Sequence, residues 1–246
     1  MPNNGRLSSL RNQGKLYKQS LGRDLTGFGV CFVCQAVWRM EGPVCAACLK
    51  DFPFRSSLLL QRQIPFVDRA LAAFHYDFPI TDVVKAAKFH ADLGALAVLG
   101  VGFTDEFLAA LGEVDVLVPV PLLPWRFLRR GFNQATELAR VLGQRSGFVL
   151  RHDILARERV WGLAQSRLDA VSRRKNIQDA FRVKGDVTGL RVAVVDDVIT
   201  TGATCAALAG ALRHAGARQV IAVAAAATPL RHDARLPTAI PSQSND

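Results

Sequence analysis

Two adjacent carboxylates, Asp196 and Asp197, follow a run of four apolar residues at 192–195. Three of the four are β-branched, which predicts a strand buried on both faces. Carboxylates at the end of such a strand stay ionised only where solvent, a metal or hydroxyl donors satisfy them. The hydroxyl groups of a sugar, with Mg²⁺ nearby, meet that need, so the pair is a candidate ribose-binding site.

The loop that follows carries residue types that suit a phosphate group. Gly202 allows backbone N–H groups to approach a ligand without a Cβ in the way. The alanine-rich run 203–214 predicts a helix whose positive end lies at the same loop. The chain has no P-loop of the Gly-Lys-Ser/Thr type, which argues against an NTPase. The pattern instead predicts a ribose-5-phosphate site, with the phosphate held by Thr200, Thr201, Gly202, Ala203 and Thr204.

Two Cys-x-x-Cys pairs near the N-terminus are separated by ten residues. They are Cys31, Cys34, Cys45 and Cys48. In a reducing compartment this spacing predicts tetrahedral Zn²⁺ bound by thiolates rather than disulfide bonds. Four thiolates close the coordination sphere, so the zinc is predicted to be structural. We expect Trp38, Phe52 and Phe54 to pack around these cysteines, whereas Cys205 is predicted to be a small core residue.

The formal net charge is +10, and two basic blocks account for the excess. Residues 1–30 hold five Lys or Arg against one acidic residue, and residues 126–175 hold twelve against four. Such blocks suit phosphate-bearing partners such as pyrophosphate or nucleic acid, and a solvated basic face is the alternative. No apolar run reaches transmembrane length, and the basic start lacks the apolar core of a secretory signal. We therefore expect a cytoplasmic protein with no transmembrane segment.

Alternating strand and helix patterns predict an α/β domain. The further predicted strands are 67–76, 114–118 and 219–226, and the further predicted helices are 81–89, 95–111 and 135–142. In an open α/β sheet ligands bind at the carboxyl ends of the strands, which is where Arg129 and Arg130 fall. Lys88, near the end of a helix, either faces the same ligand or only complements the helix dipole. Residues 151–162 carry arginines among apolar residues and are expected to cross over the site.

These patterns divide the chain into four parts. We predict a basic flexible leader at 1–27, a four-cysteine zinc module at 28–56, the α/β domain at 65–228 and a flexible tail at 229–246.

The run VAVVDDVITTGAT resembles the phosphoribosyl pyrophosphate (PRPP) signature of type I phosphoribosyltransferases. Together with the two cysteine pairs and the runs VPVPL and RGFNQ, it makes the chain similar to the ComF family. The resemblance covers roughly residues 28–226. It implies a type I phosphoribosyltransferase-like α/β fold, with a parallel sheet and helices on both faces, plus a small N-terminal zinc-ribbon module.

The ComF resemblance also implies a role in natural competence and in the uptake and use of DNA. Incoming single-stranded DNA and the DNA-uptake machinery are the expected partners, and PRPP is expected to bind with Mg²⁺ at the acidic loop. One alternative is a Mg²⁺-dependent phosphoribosyltransferase, a glycosyltransferase that moves ribose-5-phosphate to a nucleobase or another nitrogen nucleophile. Lys88, Arg129 and Arg130 would then stabilise the leaving pyrophosphate. The other alternative is a PRPP sensor without turnover.

Overall fold

The computed structural model describes residues 28–39, 42–89, 92–157 and 181–229. The predicted leader, nearly all of the predicted tail and residues 158–175 of the basic block lie outside these residues. A five-stranded parallel sheet forms the centre of the described chain. In spatial order its strands are β3 (Arg69–His75), β9 (Gln219–Ala227), β8 (Arg191–Ile199), β4 (Val116–Pro119) and β5 (Val149–Leu150).

Strand β8 lies near the middle of the sheet, between β9 and β4. Val192 and Val194 contribute to the core on one face, and Ala193 and Val195 contribute to the core on the other. All four side chains are buried. The prediction of a strand buried on both faces is therefore confirmed.

Helices cover both faces of the sheet, as predicted. Four of them pack on one face: α2 (Ile80–Phe89), α3 (Leu93–Gly100), α4 (Asp105–Leu111) and α6 (Gln134–Ser146). On the opposite face lies α7 (Ala203–His214). The antiparallel ribbon of β6 (Leu155–Arg157) and β7 (Phe181–Val183) packs beside α7.

The prediction of one continuous helix over 95–111 is wrong, because the chain breaks between α3 and α4. Gly102 lies so close to the sheet that a Cβ there would be 2.5 Å from the Cβ of Ala73. Two residues later, the Thr104 hydroxyl accepts a hydrogen bond from the Phe107 N–H at 3.2 Å and caps a new helix. Apolar composition alone does not reveal such a break. Among the described residues no single helix is long and apolar enough to cross a membrane; only α3 and α4 together, bent by 73°, pass that test.

The four-cysteine segment forms a small unit against the sheet edge. Strands β1 (Phe28–Val30) and β2 (Val37–Arg39) pair antiparallel, and the short helix α1 (Ala46–Lys50) follows. Phe52 is buried and meets Phe74 of β3 edge to face at 5.8 Å between ring centroids. The next residues run along the outer edge of β3, where the Arg55 N–H donates to the Ala73 carbonyl at 2.9 Å. This pairing covers the edge of the sheet.

Candidate functional site

The acidic pair lies inside β8, because the strand continues two residues beyond it to Ile199. Asp197 is buried and Asp196 is half-buried. The Asp197 N–H donates to a carboxylate oxygen of Asp196 at 2.8 Å, which fixes the orientation of that side chain. The two carboxylates thus lie at the carboxyl-end rim of the sheet, as predicted, but on ordered strand backbone rather than in a loop.

Lys88 of α2 lies against the acidic pair. Its Nζ is 3.0 Å from Oδ1 of Asp197, and the two side chains are 27% and 10% exposed. A carboxylate this buried needs a cation to remain charged. Of the two interpretations of Lys88, the structure therefore supports the one in which it faces the site.

Asp196 has an unusual acidity for a carboxyl group. Burial, reinforced by the negative charge of Asp197, raises the pKa of Asp196 to about 7, while Lys88 and Arg157 act in the opposite direction. Sequence reasoning missed Arg157 as a site residue, although it did predict that residues 151–162 cross over the site. Arg157 is the last residue of β6 and packs over the Phe181 ring at 5.2 Å. An approaching cation or hydroxyl donor would favour the ionised form of Asp196.

The loop after β8 ends at a helix whose N-cap residue is a glycine, while the Thr201 hydroxyl accepts a hydrogen bond from the Ala203 N–H at 3.3 Å. Gly202 has a φ of +83° at the N-cap of α7. A Cβ on Gly202 would be 2.9 Å from the Cδ1 of Ile64, so glycine is required both for its conformation and for its size. Thr200, Thr201 and Ala203 are exposed beside it. The threonine hydroxyls and the positive end of α7 can together receive an anion.

Arg62 holds this loop in place, a role that sequence reasoning did not find. Its guanidinium donates to the backbone carbonyls of Thr200 and Thr228, and the Thr228 hydroxyl donates to the Thr200 carbonyl at 3.1 Å. The loop is therefore tied to the end of β9. Arg62 lies in a segment without regular pattern, so the sequence gives no signal for it.

The predicted arginines lie on α5 (Pro124–Arg130), a short helix that follows the proline-rich turn after β4. Arg130 donates to the Gln134 side-chain carbonyl at 3.1 Å and lies 6.0 Å from the centroid of the Phe89 ring. Burial and the neighbouring arginines lower the pKa of Arg130, and the charge of Asp197 opposes that effect. Arg130 is thus brought into the field of the acidic pair, whereas Arg129 is exposed beside it.

Gln134 connects the arginine to the helix that carries the lysine. It is only 2% exposed, and its side-chain amide donates to the Ala87 carbonyl of α2 at 3.3 Å. One amide therefore fixes Arg130 and the backbone next to Lys88. The sequence placed Gln134 at a helix start but gave no indication that its side chain faces inward.

The four cysteines converge as predicted. Their sulfur atoms all lie within 4.8 Å of one another, and Cys34 Sγ is 3.8 Å from Cys45 Sγ. Sulfurs bound at about 2.3 Å around tetrahedral Zn²⁺ are separated by about 3.8 Å. Burial alone would raise the pKa of the Cys31 thiol, but backbone N–H groups, including that of Cys45 at 3.3 Å, lower it to about 7. The cluster fits a metal ion that prefers thiolates. Cys205 lies apart from it, buried in the core as predicted.

No protein-family model matches the chain. It is 32% identical over 206 residues to DNA utilization protein YhgH of Salmonella typhimurium. The matched region covers 80% of this chain and 89% of that protein. It is 30% identical over 206 residues to competence protein F of Haemophilus influenzae, with 78% and 87% covered. Competence protein ComFC of Streptococcus pneumoniae is 31% identical over 150 residues, with 61% and 64% covered.

Two solved structures can be superposed on part of this chain. Glutamine PRPP amidotransferase from B. subtilis is 25% identical with a TM-score of 0.35, covering 51% of this chain and 25% of that one. Purine phosphoribosyltransferase from Pyrococcus horikoshii is 16% identical with a TM-score of 0.34, covering 65% and 78%.

Proposed function

The chain belongs to the ComF family, which includes DNA utilization protein YhgH and competence protein F, and we propose that it serves the uptake and use of DNA. In this proposal it acts in the cytoplasm, handles incoming single-stranded DNA together with the uptake machinery, and binds PRPP with Mg²⁺ at the rim of β8. A zinc module at 28–56 and a phosphoribosyltransferase-type domain at 65–228 are its working parts. The thiols favour a reducing compartment, where they stay available to zinc.

The observation that carries the PRPP site is the arrangement around Asp197. A buried carboxylate, its lysine partner at 3.0 Å and a helix N-terminus with glycine at its N-cap share one rim. Asp196 and Asp197 would accept hydrogen bonds from the ribose hydroxyls, and residues 200–204 would hold the 5′-phosphate. Charge-assisted hydrogen bonds of this kind are about twice as strong as neutral ones.

Lys88, Arg129 and Arg130 are proposed to receive the pyrophosphate group. In the described structure Lys88 neutralises Asp197, so a ligand that brings Mg²⁺ to the rim would release the lysine for phosphate oxygens. Arg130 lies behind it, positioned by Gln134. Mg²⁺ would supply the positive charge that a diphosphate requires, because it binds phosphate oxygens and keeps several waters.

The zinc site is proposed to be structural. All four ligands are cysteines within 4.8 Å, which leaves no position open for a substrate. Its unit packs on the sheet through Phe52, so the metal would stabilise the edge formed by β3.

Transfer of ribose-5-phosphate from PRPP is the second candidate function. Cations beside the pyrophosphate position favour it, because they stabilise the charge that develops on the leaving group. A sensor that binds PRPP without turnover would use the same residues.

One experiment separates these functions. Pyrophosphate release from Mg²⁺-PRPP is measured with a panel of nucleobases. Binding of Mg²⁺-PRPP and binding of a labelled single-stranded oligonucleotide are measured in parallel. DNA binding without turnover supports the DNA-handling function, and base-dependent release supports the transferase. PRPP binding with neither result leaves the sensor, and a protein that binds neither PRPP nor DNA contradicts the whole proposal.

A further inference from the structure

Helix α5 exposes its apolar residues as well as its arginines. None of its seven residues is buried. Trp125 and Phe127 are each 49% exposed, and Leu128 is 83% exposed. Isolated helices of this length are not stable in water by propensity alone, so other features must hold α5 in place.

Those features lie at its ends. Pro124 occupies the first turn, where its fixed φ suits a helix, and Gly131 ends the helix with a φ of +79°. Asn133, just beyond, donates to the Val120 carbonyl at 2.9 Å. The helix is thus held at both ends, and within the part of the chain that the structure describes about half of each aromatic ring stays open to solvent.

Positive charge surrounds these aromatic rings. The Arg126 guanidinium lies 5.2 Å from the centroid of the Trp125 ring. Among the described residues no ion pair neutralises Arg126, Arg129 or Arg130. Arg126 also lies near enough to Arg130 and Arg157 to lower the pKa of both. Asp197 acts on Arg130 and Asp196 acts on Arg157, but no carboxylate among the described residues pairs with Arg126 or Arg129. These two guanidiniums can therefore bind a polyanion.

A cavity adjoins the helix on the side of the proline-rich turn. It has a volume of about 420 Å³, and its lining includes Phe127, Leu128, Pro119 and Pro121. His152 contributes a polar group to its wall. The cavity is large enough for one base turned out of a strand.

We propose that α5 is a stacking platform for single-stranded nucleic acid, with phosphates held by Arg126. Because Trp125 and Phe127 lie on different faces of the helix, one base stacks on Trp125 and another enters the cavity beside Phe127. The proposal rests on the DNA-handling function, and it assigns the DNA-binding surface to helix α5. Planar rings beside unpaired guanidiniums favour a single strand over a duplex, since a duplex hides the faces of its bases. They also favour it over a protein partner, which would need carboxylates opposite three arginines.

The test uses the full zinc-loaded chain and a labelled oligothymidylate of about 16 nucleotides, a length within the range covered by single-strand binding domains. Trp125→Ala/Phe127→Ala is expected to weaken binding about tenfold or more. The control Phe66→Ala removes another half-exposed ring, which lies against His214, and should leave binding unchanged. PRPP affinity should be the same in all these proteins.

Two further variants separate stacking from charge. Trp125→Phe should retain affinity but lose the part of the fluorescence quenching by DNA that Trp125 contributes among the three tryptophans. Arg126→Ala should reduce the slope of log affinity against log salt by about 0.7, whereas Arg140→Ala, an exposed arginine paired with Glu137, should not.

Wild-type DNA affinity in the double aromatic variant would overturn the platform and leave the proposed function standing. If that variant instead loses a self-association that the wild type shows in sedimentation, with DNA binding intact, the helix is a protein interface and the proposal is wrong. A wild-type chain that does not bind the oligonucleotide contradicts both the platform and the DNA-handling function.

Discussion

The cysteine cluster and the acidic rim are both groups of like-charged ligands, but they are built in opposite ways. The four sulfurs lie within 4.8 Å of one another, and their surroundings offer backbone N–H groups to the sulfur atoms. At the rim, two carboxylates are met by Lys88 at 3.0 Å and by arginines from other elements. The first arrangement suits one compact cation, and the second suits a ligand that carries hydroxyls and phosphates together.

The difference concerns what each region does for the fold. A closed metal site adds to stability, because binding and folding are one equilibrium in small modules. The rim lowers the stability of the fold. Asp196 lies in surroundings that favour its neutral form, and the loop needs a glycine at positive φ. Sites that bind ligands commonly reduce stability in this way.

The largest effect is expected from removing a cysteine. Cys31→Ser should abolish zinc binding and unfold the region around β1, β2 and α1, because structural zinc contributes roughly 10–16 kcal/mol in comparable peptides. Zinc content and thermal melting measure the loss. Cys205→Ala, outside the cluster, should keep its zinc; a Cys31→Ser protein with the zinc content and Tm of the parent would refute a structural metal.

A smaller loss is expected at the loop. In Gly202→Ala the new Cβ would lie 2.9 Å from Ile64, and the alanine would have to adopt a φ of +83°. Urea unfolding should therefore show that the free energy of unfolding falls by about 1–3 kcal/mol or more. Gly147→Ala has nearly the same φ, +77°, but nothing within 4 Å of its Cβ. Equal losses in the two variants would show that close packing against Ile64 is unimportant.

The elements that could be predicted from sequence are those whose signal is local. The helix beginning at Ala203 and the paired cysteines follow from patterns within a few residues. The break at Gly102 and the inward side chain of Gln134 depend on residues distant in the chain. The same holds for Arg62, whose partners Thr200 and Thr228 are brought together only by the pairing of β8 with β9.

A gain in stability is expected from Asp196→Asn. The folded-state pKa of about 7 exceeds the ordinary value of 3.8, so the folded protein binds a proton that the unfolded chain releases between these values. The wild type is therefore penalised progressively as pH rises from about 4 to 7. At pH 8 the variant should gain up to about 4 kcal/mol, with roughly 2–4 °C in Tm for each 1 kcal/mol.

The same gain should shrink at pH 5, where the folded wild type carries the proton. Differential scanning calorimetry at the two pH values tests this. A variant less stable than the parent at pH 8 would mean that the carboxylate of Asp196 is not strained.

Binding of Mg²⁺-PRPP to the full chain, measured by titration calorimetry, tests the central claim most directly. Asp196→Asn/Asp197→Asn keeps the shape of the rim but removes its charge, and each lost charge-assisted hydrogen bond costs about 1.5–3 kcal/mol. The matched control is Asp105→Asn/Glu106→Gln, an adjacent acidic pair in the first turn of α4. We predict that the control binds like the wild type and that the rim variant binds at least about tenfold more weakly. Equal affinity in all three proteins would contradict the assignment of PRPP to this site.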